Sequence, residues 1–302
     1  MTASDLVDAI SSLDQPLGDR AYPLTWFLSK TTKQYITVAL SGDGGDGGDG
    51  GDGGDGGDGG DGGDELFGGY DKFNQLASLK PKNRIKRILQ ELYKYKLISG
   101  KFCSQILTER DWLLYKKVDC GQFPGNRKDI SRFLDHKVIQ RIDGQPIKKW
   151  LALVTAQGGF NSKTALMKAD LWTYLSENCL MKTDRASMAW GLEVRVPFGA
   201  NAVLDFVLKM PESIHFSGNK GKELHKLAEL HLPENVWNRK KHGFSIPLNE
   251  YFRGDWKNLA EELFYNSSDY FPILNSKSIT KMWEEYHQEK SPIGRSIRCL
   301  FC

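Results

Sequence analysis

A glycine- and aspartate-rich segment follows a short apolar run and carries the residue types that could bind a nucleotide. It opens with Ser41-Gly42-Asp43, continues as seven Gly-Gly-Asp units over residues 44–64, and ends at Glu65. Glycines allow positive φ angles and a close approach of backbone N–H groups to a phosphate. Carboxylates are ligands of Mg²⁺, which usually keeps several waters and bridges substrate phosphates. The segment therefore indicates a loop for a nucleotide with Mg²⁺.

The element before this loop must position it. Residues 35–40 are rich in β-forming residues and nearly continuously apolar, which predicts a buried strand of a parallel sheet. The run ends at Ser41, and open α/β sheets bind their ligands just beyond the carboxyl ends of the strands. The element order therefore predicts a ligand site at this strand end.

Helices are predicted on both sides of the loop. A short helix over residues 4–13 has Ser4 as its cap. Its apolar side is expected to contain Leu6, Ile10 and Leu13. A second helix has Pro23 in its first turn, and the pattern from residue 82 onward is mostly helical. We expect one strand and eight or more helices. A single strand does not make a sheet, so other strands must come from another segment.

Composition excludes several classes of protein. The 302 residues include 40% apolar residues and fifteen Phe, enough for a sizeable core in one large domain or two small ones. No apolar run reaches the roughly 20 residues that span a bilayer, and the first residues lack a signal-peptide pattern. Five scattered cysteines do not form a disulfide framework, and six histidines contain no HExxH motif. We expect a soluble cytoplasmic protein with no membrane partner.

The net charge of +3 conceals a basic body around an acidic loop. Removing the Asp residues of six repeat units would lower the acidic count from 38 to 32 and raise the net charge to +9. A basic body suits a polyanionic nucleotide with Mg²⁺, but charge alone favours the simpler interpretation of solvated basic faces. No RNA- or DNA-binding motif accompanies the basic helical pattern, so no nucleic-acid partner is expected.

Several motifs along the chain occur in an order and spacing that identify a family. They lie at residues 14–19, 37–43, 64–70, 174–188, 191–198 and 239–248. Together they resemble the C-terminal synthetase domain of glutamine-dependent asparagine synthetases, over nearly the whole chain outside the repeat. The resemblance implies an α/β fold of the ATP-pyrophosphatase (adenine nucleotide alpha hydrolase-like) type, here an incomplete and mostly helical C-terminal portion.

The resemblance also implies a reaction. ATP would adenylate the β-carboxylate of aspartate, releasing pyrophosphate, and ammonia derived from glutamine would then displace AMP from the β-aspartyl-AMP. The family motif Ser-Gly-(Asp/Glu)-Gly-(Gly/Ser/Ala)-Asp-Glu assigns nucleotide contacts to Ser41 and Gly42, and Leu40 before them is also expected to contact the nucleotide. It assigns formation and breakdown of the acyl-adenylate to Asp43. The lysine of an Arg-x-Lys motif falls on Lys241 and would neutralise charge that develops on the phosphates.

The sixth position of that motif binds Mg²⁺, and the repeat offers two candidates for it. Carried over, the metal ligand is Asp46 or Asp64, and the order of residues leaves both open. Two other motif residues, Asp184 and Arg185, are interpreted equally well as a structural ion pair or as site contacts. Phe198, after Pro197, is expected to serve packing.

Three departures from the family pattern affect the expected activity. The sequence contains no Ser-Gly-Gly-x-Asp-Ser pyrophosphate loop and no glutaminase domain. Where the family continues with Leu-Asp-His-Arg after Pro197-Phe198, this chain has Gly199-Ala200-Asn201-Ala202. We therefore expect residues 1–302 to be a partial synthetase domain that is inactive alone, with a separate chain carrying the other segments.

The repeat at residues 44–64 is best interpreted as an expansion. A calcium-binding β-roll uses nine-residue repeats with apolar positions, and collagen needs abundant proline, but this repeat has neither. Slippage of a nine-nucleotide unit would leave six surplus copies. The added residues should form a flexible, self-repelling loop with an end-to-end distance of roughly 25 Å.

The sequence also allows two alternative functions. One is another ATP-dependent amide ligase of the same fold, acting on a sugar or a small carboxylate. The other is a non-catalytic, acidic metal-binding or interaction protein defined by the repeat.

Overall fold

The computed structural model describes residues 1–15, 17, 19, 21–41, 66–68, 73, 133–134, 153, 156–157, 162–216, 222–238 and 246–288. Within these ranges the chain is mostly helical. No helix among them is long and apolar enough to cross a membrane.

Two helices form the amino-terminal part of the fold. Helix α1 spans Ala3–Ser11, and its cap is Thr2, not the predicted Ser4. Thr2 accepts a hydrogen bond from the Asp5 backbone N–H while the Asp5 carboxylate accepts one from the Thr2 N–H, which is a capping box. Helix α2 spans Tyr22–Lys33 with proline in its first turn, as predicted.

The apolar side predicted for α1 is only partly correct. Leu6 and Ala9 are the buried residues of the helix, whereas the Ile10 side chain is 43% exposed. Leu6 and Ala9, which are three residues apart, face the neighbouring elements, whereas Ile10, four residues after Leu6, does not. Leu13 lies beyond the end of α1 and packs partly buried against a cluster that contains Tyr22 and Trp26.

Two short parallel strands form the sheet of the described structure. Strand β1 spans Val38–Leu40 and pairs in parallel with β2, Glu193–Arg195, with Ala39 opposite Val194. The parallel orientation confirms the prediction, but the predicted burial is wrong. Val38 is 43% exposed and Leu40 is 73% exposed, because each strand has a single neighbour within the described residues and the outward side chains stay uncovered.

Each strand follows a helix, and these two helices pack on one another. Helix α3, Lys163–Asp170, is capped by Ser162 and continues as a π-helix over Leu171–Cys179 and then as α4, Leu180–Met188. The wide turn of the π-helix is closed by the Leu180 N–H, which donates to the Leu175 carbonyl five residues earlier. Gly191, with φ of +66°, then turns the chain from α4 into β2.

The remaining described elements are helices. A 3₁₀ turn spans Pro197–Gly199. It is followed by α5 (Asn201–Lys209), α6 (Glu212–His215), α7 (Lys222–His231), α8 (Glu234–Trp237), α9 (Leu248–Arg253), α10 (Lys257–Tyr265), α11 (Ser267–Tyr270) and α12 (Ser276–His287).

Three apolar clusters hold these elements together. The largest surrounds Trp256 and Trp283 and joins α9, α10 and α12 with Leu6 of α1. A second surrounds Trp26 and joins α1 and α2 to α4. The third contains Leu66, Leu166 and Val207, and it joins the residues that follow the repeat to α3 and α5. The second and third clusters therefore position the two flanks of the repeat.

Candidate active site

The amino-terminal flank of the glycine-rich loop is fixed at the end of β1. The Ser41 N–H donates to the Arg195 carbonyl over 2.9 Å, which extends the parallel ladder one residue beyond Leu40. The structure therefore places Ser41 at the carboxyl end of a parallel strand, as predicted. Leu40 lies next to it on the exposed edge.

The carboxyl-terminal flank is fixed in the third apolar cluster. Leu66 is fully buried, and the Phe67 ring packs edge-on against the Phe198 ring at a centroid distance of 5.9 Å. Gly68 has φ of +68°, and a Cβ atom there would lie 2.7 Å from the Phe216 ring. Close approach and backbone conformation both require glycine at this position.

Both flanks contact one short segment, residues 195–198. Arg195 binds the Ser41 N–H, and Phe198, three residues later, packs on Phe67. The predicted packing role of Phe198 is thereby confirmed. The residues on both sides of the repeat are therefore held by the same four-residue segment.

Five of the predicted site residues lie outside the described residues: Gly42, Asp43, Asp46, Asp64 and Lys241. The side chains of the loop indicate which metal it could bind. Between Ser41 and Leu66 the chain carries eight aspartates and one glutamate and no sulfur or imidazole ligand, which is the oxygen-only set that Mg²⁺ prefers. The described residues themselves contain no group of three His, Cys, Asp or Glu placed to bind a metal.

A buried ion pair joins two of the sequence motifs. The Lys182 Nζ lies 3.3 Å from an Asp19 carboxylate oxygen, and the two side chains are 5% and 2% exposed. Asp19 also accepts hydrogen bonds from the Ala21 N–H at 2.9 Å and from the Asn178 amide at 3.1 Å. This network fixes the segment before α2 against the π-helix and α4, and so holds together the two helices that precede β1 and β2.

A second, exposed ion pair runs beside the buried one. Arg185 donates through Nε and Nη2 to both carboxylate oxygens of Asp14, at 3.1 and 2.9 Å, and through Nη1 to Asp184 at 3.1 Å. Of the two interpretations of Asp184 and Arg185, the structure shows the ion pair.

Glu212 fixes the start of α3 against α6. Its carboxylate accepts hydrogen bonds from the Ser162 hydroxyl at 2.9 Å and from the Thr164 N–H at 3.2 Å. Burial alone would raise the pKa of Glu212, but these hydrogen bonds outweigh burial and lower the pKa below its ordinary value. The charged carboxylate therefore acts as a capping group for α3.

The sequence departs from the family pattern at residues 199–202, and the structure shows that this segment precedes and begins α5. Ala200 occupies the N-cap position of α5 and supplies no side-chain hydrogen bond. The family pattern has Asp at this position, and Asp is among the best N-cap residues. The substitution therefore removes a helix cap beside Phe198.

Sequence reasoning missed the Asp19–Lys182 pair and the role of Glu212. Asn178 and Asp19 are 159 residues apart in the chain, and Glu212 and Ser162 are 50 apart. No local pattern links residues at such separations. The only signal was that residues 14–19 and 174–188 both belong to the motifs.

Comparisons with known proteins agree on one family. A family model described as asparagine synthase matches residues 1–51 and 59–297. The chain is 26% identical over 301 residues to the glutamine-hydrolyzing asparagine synthetase 1 of Bacillus subtilis strain 168, covering 97% of this chain and 44% of that protein. It is 25% identical over 299 residues to a Mycobacterium bovis protein provisionally named a glutamine-hydrolyzing asparagine synthetase, covering 97% of this chain and 42% of that protein. The chain thus spans less than half the length of these relatives, and no solved structure matches it.

Proposed function

The chain belongs to the asparagine synthase family, and we propose that it is the synthetase part of an ATP-dependent, asparagine-forming ligase. The proposed fold is of the ATP-pyrophosphatase type, with the nucleotide at the end of β1. The observation that carries the proposal is the position of Ser41, which stands at a parallel strand end where the glycine-rich loop begins.

The residues of this chain would bind and orient the substrates. Leu40, Ser41 and Gly42 would contact ATP, and Asp43 would act in formation and breakdown of β-aspartyl-AMP. Lys241 would stabilise negative charge that develops on the phosphates, as a lysine clamp does in a water-excluded site. Bound Mg²⁺ would neutralise phosphate charge, and its ligand would be Asp64 or Asp46.

The proposal includes a second segment, outside residues 1–302, that completes the site. A pyrophosphate loop would supply phosphate contacts from another strand end, and a glutaminase would supply ammonia. The exposed side chains of β1 support this arrangement, since a third strand or a helix placed on the sheet would cover Val38 and Leu40. Without those contacts both positioning and charge stabilisation are incomplete, so residues 1–302 alone should not turn over ATP.

The experiment measures pyrophosphate release with ATP, aspartate and ammonia after the missing segments are supplied in trans. Asp43→Ala and Lys241→Ala should each lower the rate about a hundredfold or more, with thermal unfolding nearly unchanged. Asp55→Ala in the middle of the repeat and Lys240→Ala beside the catalytic lysine are the matched controls, and both should keep parental rates. Full activity in either site variant refutes its assignment.

Two further measurements separate the alternatives. Replacing aspartate by a panel of small carboxylates and sugars tests for a different amide ligase of this fold. Calcium titration followed by circular dichroism tests the non-catalytic alternative, because ordering of residues 41–64 on calcium addition would favour a metal-binding module. Aspartate-dependent turnover by residues 1–302 alone would contradict the two-segment proposal.

A further inference from the structure

A π-helix interrupts the longest continuous helical segment among the described residues. Helix α3, the π-helix Leu171–Cys179 and α4 follow one another without a break from Lys163 to Met188. π-helices are rare, and most occur as single turns inside α-helices, frequently at functional sites. The π-helix here is nine residues long, which is more than a single turn, so a physical reason for its presence is required.

The local sequence does not require a π-helix. Residues 163–188 contain no proline and no glycine, and they are rich in Ala, Leu, Met and Lys. These residue types favour the α-helix. Contacts with other parts of the fold must therefore select the wider helix.

The two ends of this helical segment are anchored in different places. In α3, Leu166 is fully buried in the third apolar cluster, which also contains Leu66. In α4, Lys182 forms the buried ion pair with Asp19, and Asn178 of the π-helix donates to the same carboxylate. Because both ends are fixed, the rotation that the chain accumulates between them is fixed as well.

The width of the helix determines that rotation. Hydrogen-bond spacings of three and four residues give about 3.0 and about 3.6 residues per turn, so a spacing of five gives about 4.3. Each π residue then turns the chain by about 84° instead of about 100°, and the nine residues together turn it by about 150° less. An all-α segment of the same length would therefore rotate α4 by nearly half a turn relative to α3, and Lys182 would face away from Asp19.

The orientation of α4 also determines where the end of the sheet lies. Helix α4 leads through the turn at Gly191 into β2, and the Arg195 carbonyl of β2 accepts the hydrogen bond from the Ser41 N–H at 2.9 Å. At the other end of the segment, α3 packs in the cluster that contains Leu66. The π-helix therefore lies between the elements that hold the two flanks of the repeat.

We infer that the π-helix Leu171–Cys179 is a positioning segment that sets the rotation of α4 and thereby the position of Ser41 at the end of β1. This role rests on the proposed function, in which Ser41 contacts ATP. The π-helix is then equivalent to an α-helix that holds one extra residue, because eight α residues turn the chain by about 800° and nine π residues by about 755°.

Deletion of Ser176, which is exposed in the middle of the π-helix, tests this equivalence by urea unfolding of residues 1–302. The shortened segment can become α-helical with α4 displaced by only about 45°. The deletion should therefore lower the urea midpoint less than insertion of one alanine after Ser176 does. In an ordinary α-helix both changes would rotate α4 by about 100° and destabilise the fold alike. Ser176→Ala keeps the chain length and should have the parental midpoint.

Two further measurements report the position of Ser41. In residues 1–302, the Ser41 amide should exchange with deuterium at least about tenfold faster in the deletion variant, because its hydrogen bond to Arg195 is displaced. The amides of α12, in the first apolar cluster, are the internal control and should exchange at the parental rate. In the reconstituted enzyme, kcat/KM for ATP should fall about a hundredfold, as a displacement of about 1 Å can cause, whereas Ser176→Ala should keep the parental value.

Three results would overturn the positioning role. The first is a deletion variant that unfolds as easily as the insertion variant or does not fold. The second is parental exchange of the Ser41 amide in a folded deletion variant, and the third is parental kcat/KM of that variant in an active reconstituted enzyme. Faster Ser41 exchange in the deletion variant, without pyrophosphate release by the reconstituted parent, would refute the proposed function and leave the positioning role standing.

Discussion

Replacing Lys182 by Met tests whether the buried ion pair holds the two helix–strand units together. The substitution removes the ammonium group and retains an apolar side chain of similar length. Asp19 keeps its hydrogen bonds from Ala21 and Asn178 but loses its cationic partner at 3.3 Å. The carboxylate is then a charge in a site that is almost closed to water.

The expected cost follows from that burial. Breaking a buried pair by removing one partner costs about 3–5 kcal/mol, because the remaining charge is uncompensated. Asp19→Asn should also destabilise the fold, since it removes the carboxylate charge 3.3 Å from the buried Lys182 ammonium. The double variant Asp19→Asn, Lys182→Met carries neither charge of the pair and should be less destabilised than the sum of the two, with a coupling energy of about 2–3 kcal/mol.

The assay is urea unfolding of the parent, the two single variants and the double variant, followed by tryptophan fluorescence. Asp14→Asn and Arg185→Met are the matched controls, because this pair joins the same two segments with side chains that are 59% and 41% exposed. An exposed pair contributes about 0–1 kcal/mol. The reasoning would be refuted if the free energies of unfolding of both single variants at the buried pair lay within about 1 kcal/mol of the parent and the effects were additive in the double variant.

Three further predictions follow from the flanks of the loop. Ala200→Asp restores the N-cap of α5 and should raise the free energy of unfolding by about 0.5–2 kcal/mol, measured by urea unfolding; no gain would contradict the capping interpretation. Burial lowers the pKa of His215 below its ordinary value of 6.5, so the unfolded chain binds a proton there first. The free energy of unfolding of the parent should be constant above about pH 6.5. Below that pH it should fall relative to that of His215→Gln, and equal pH profiles of the two proteins would contradict this. Deleting residues 44–61 shortens the chain between Ser41 and Leu66 from 24 to 6 residues. The free energy of unfolding should rise by about 1 kcal/mol, because each halving of a loop lowers its closure cost by about 0.6 kcal/mol. A large loss of stability would show that the repeat contributes contacts.

Local patterns in the sequence predicted local structure well. Pro23 marked the start of α2, and the apolar run to Leu40 indicated a parallel strand that ends at Ser41. The cap of α1 was assigned to Ser4 although Thr2 and Asp5 have the spacing of a capping box. The sequence therefore does contain the signal for the observed cap.

Properties that depend on distant partners were not predictable in this way. The burial of β1 depends on what covers the sheet, and the run itself carries no information about its cover. Strand β2 is three residues long with charged ends, so no strand pattern is visible. His215 and Leu66 are 149 residues apart, and only the folded chain brings them together.

Because residues 195–198 hold both loop flanks, a shift of this segment would move Ser41, through the Arg195 carbonyl, and Phe67, through the Phe198 ring, together. A backbone change at residues 195–198 should therefore alter both flanks at once, although Ser41 and Leu66 are 25 residues apart in the chain.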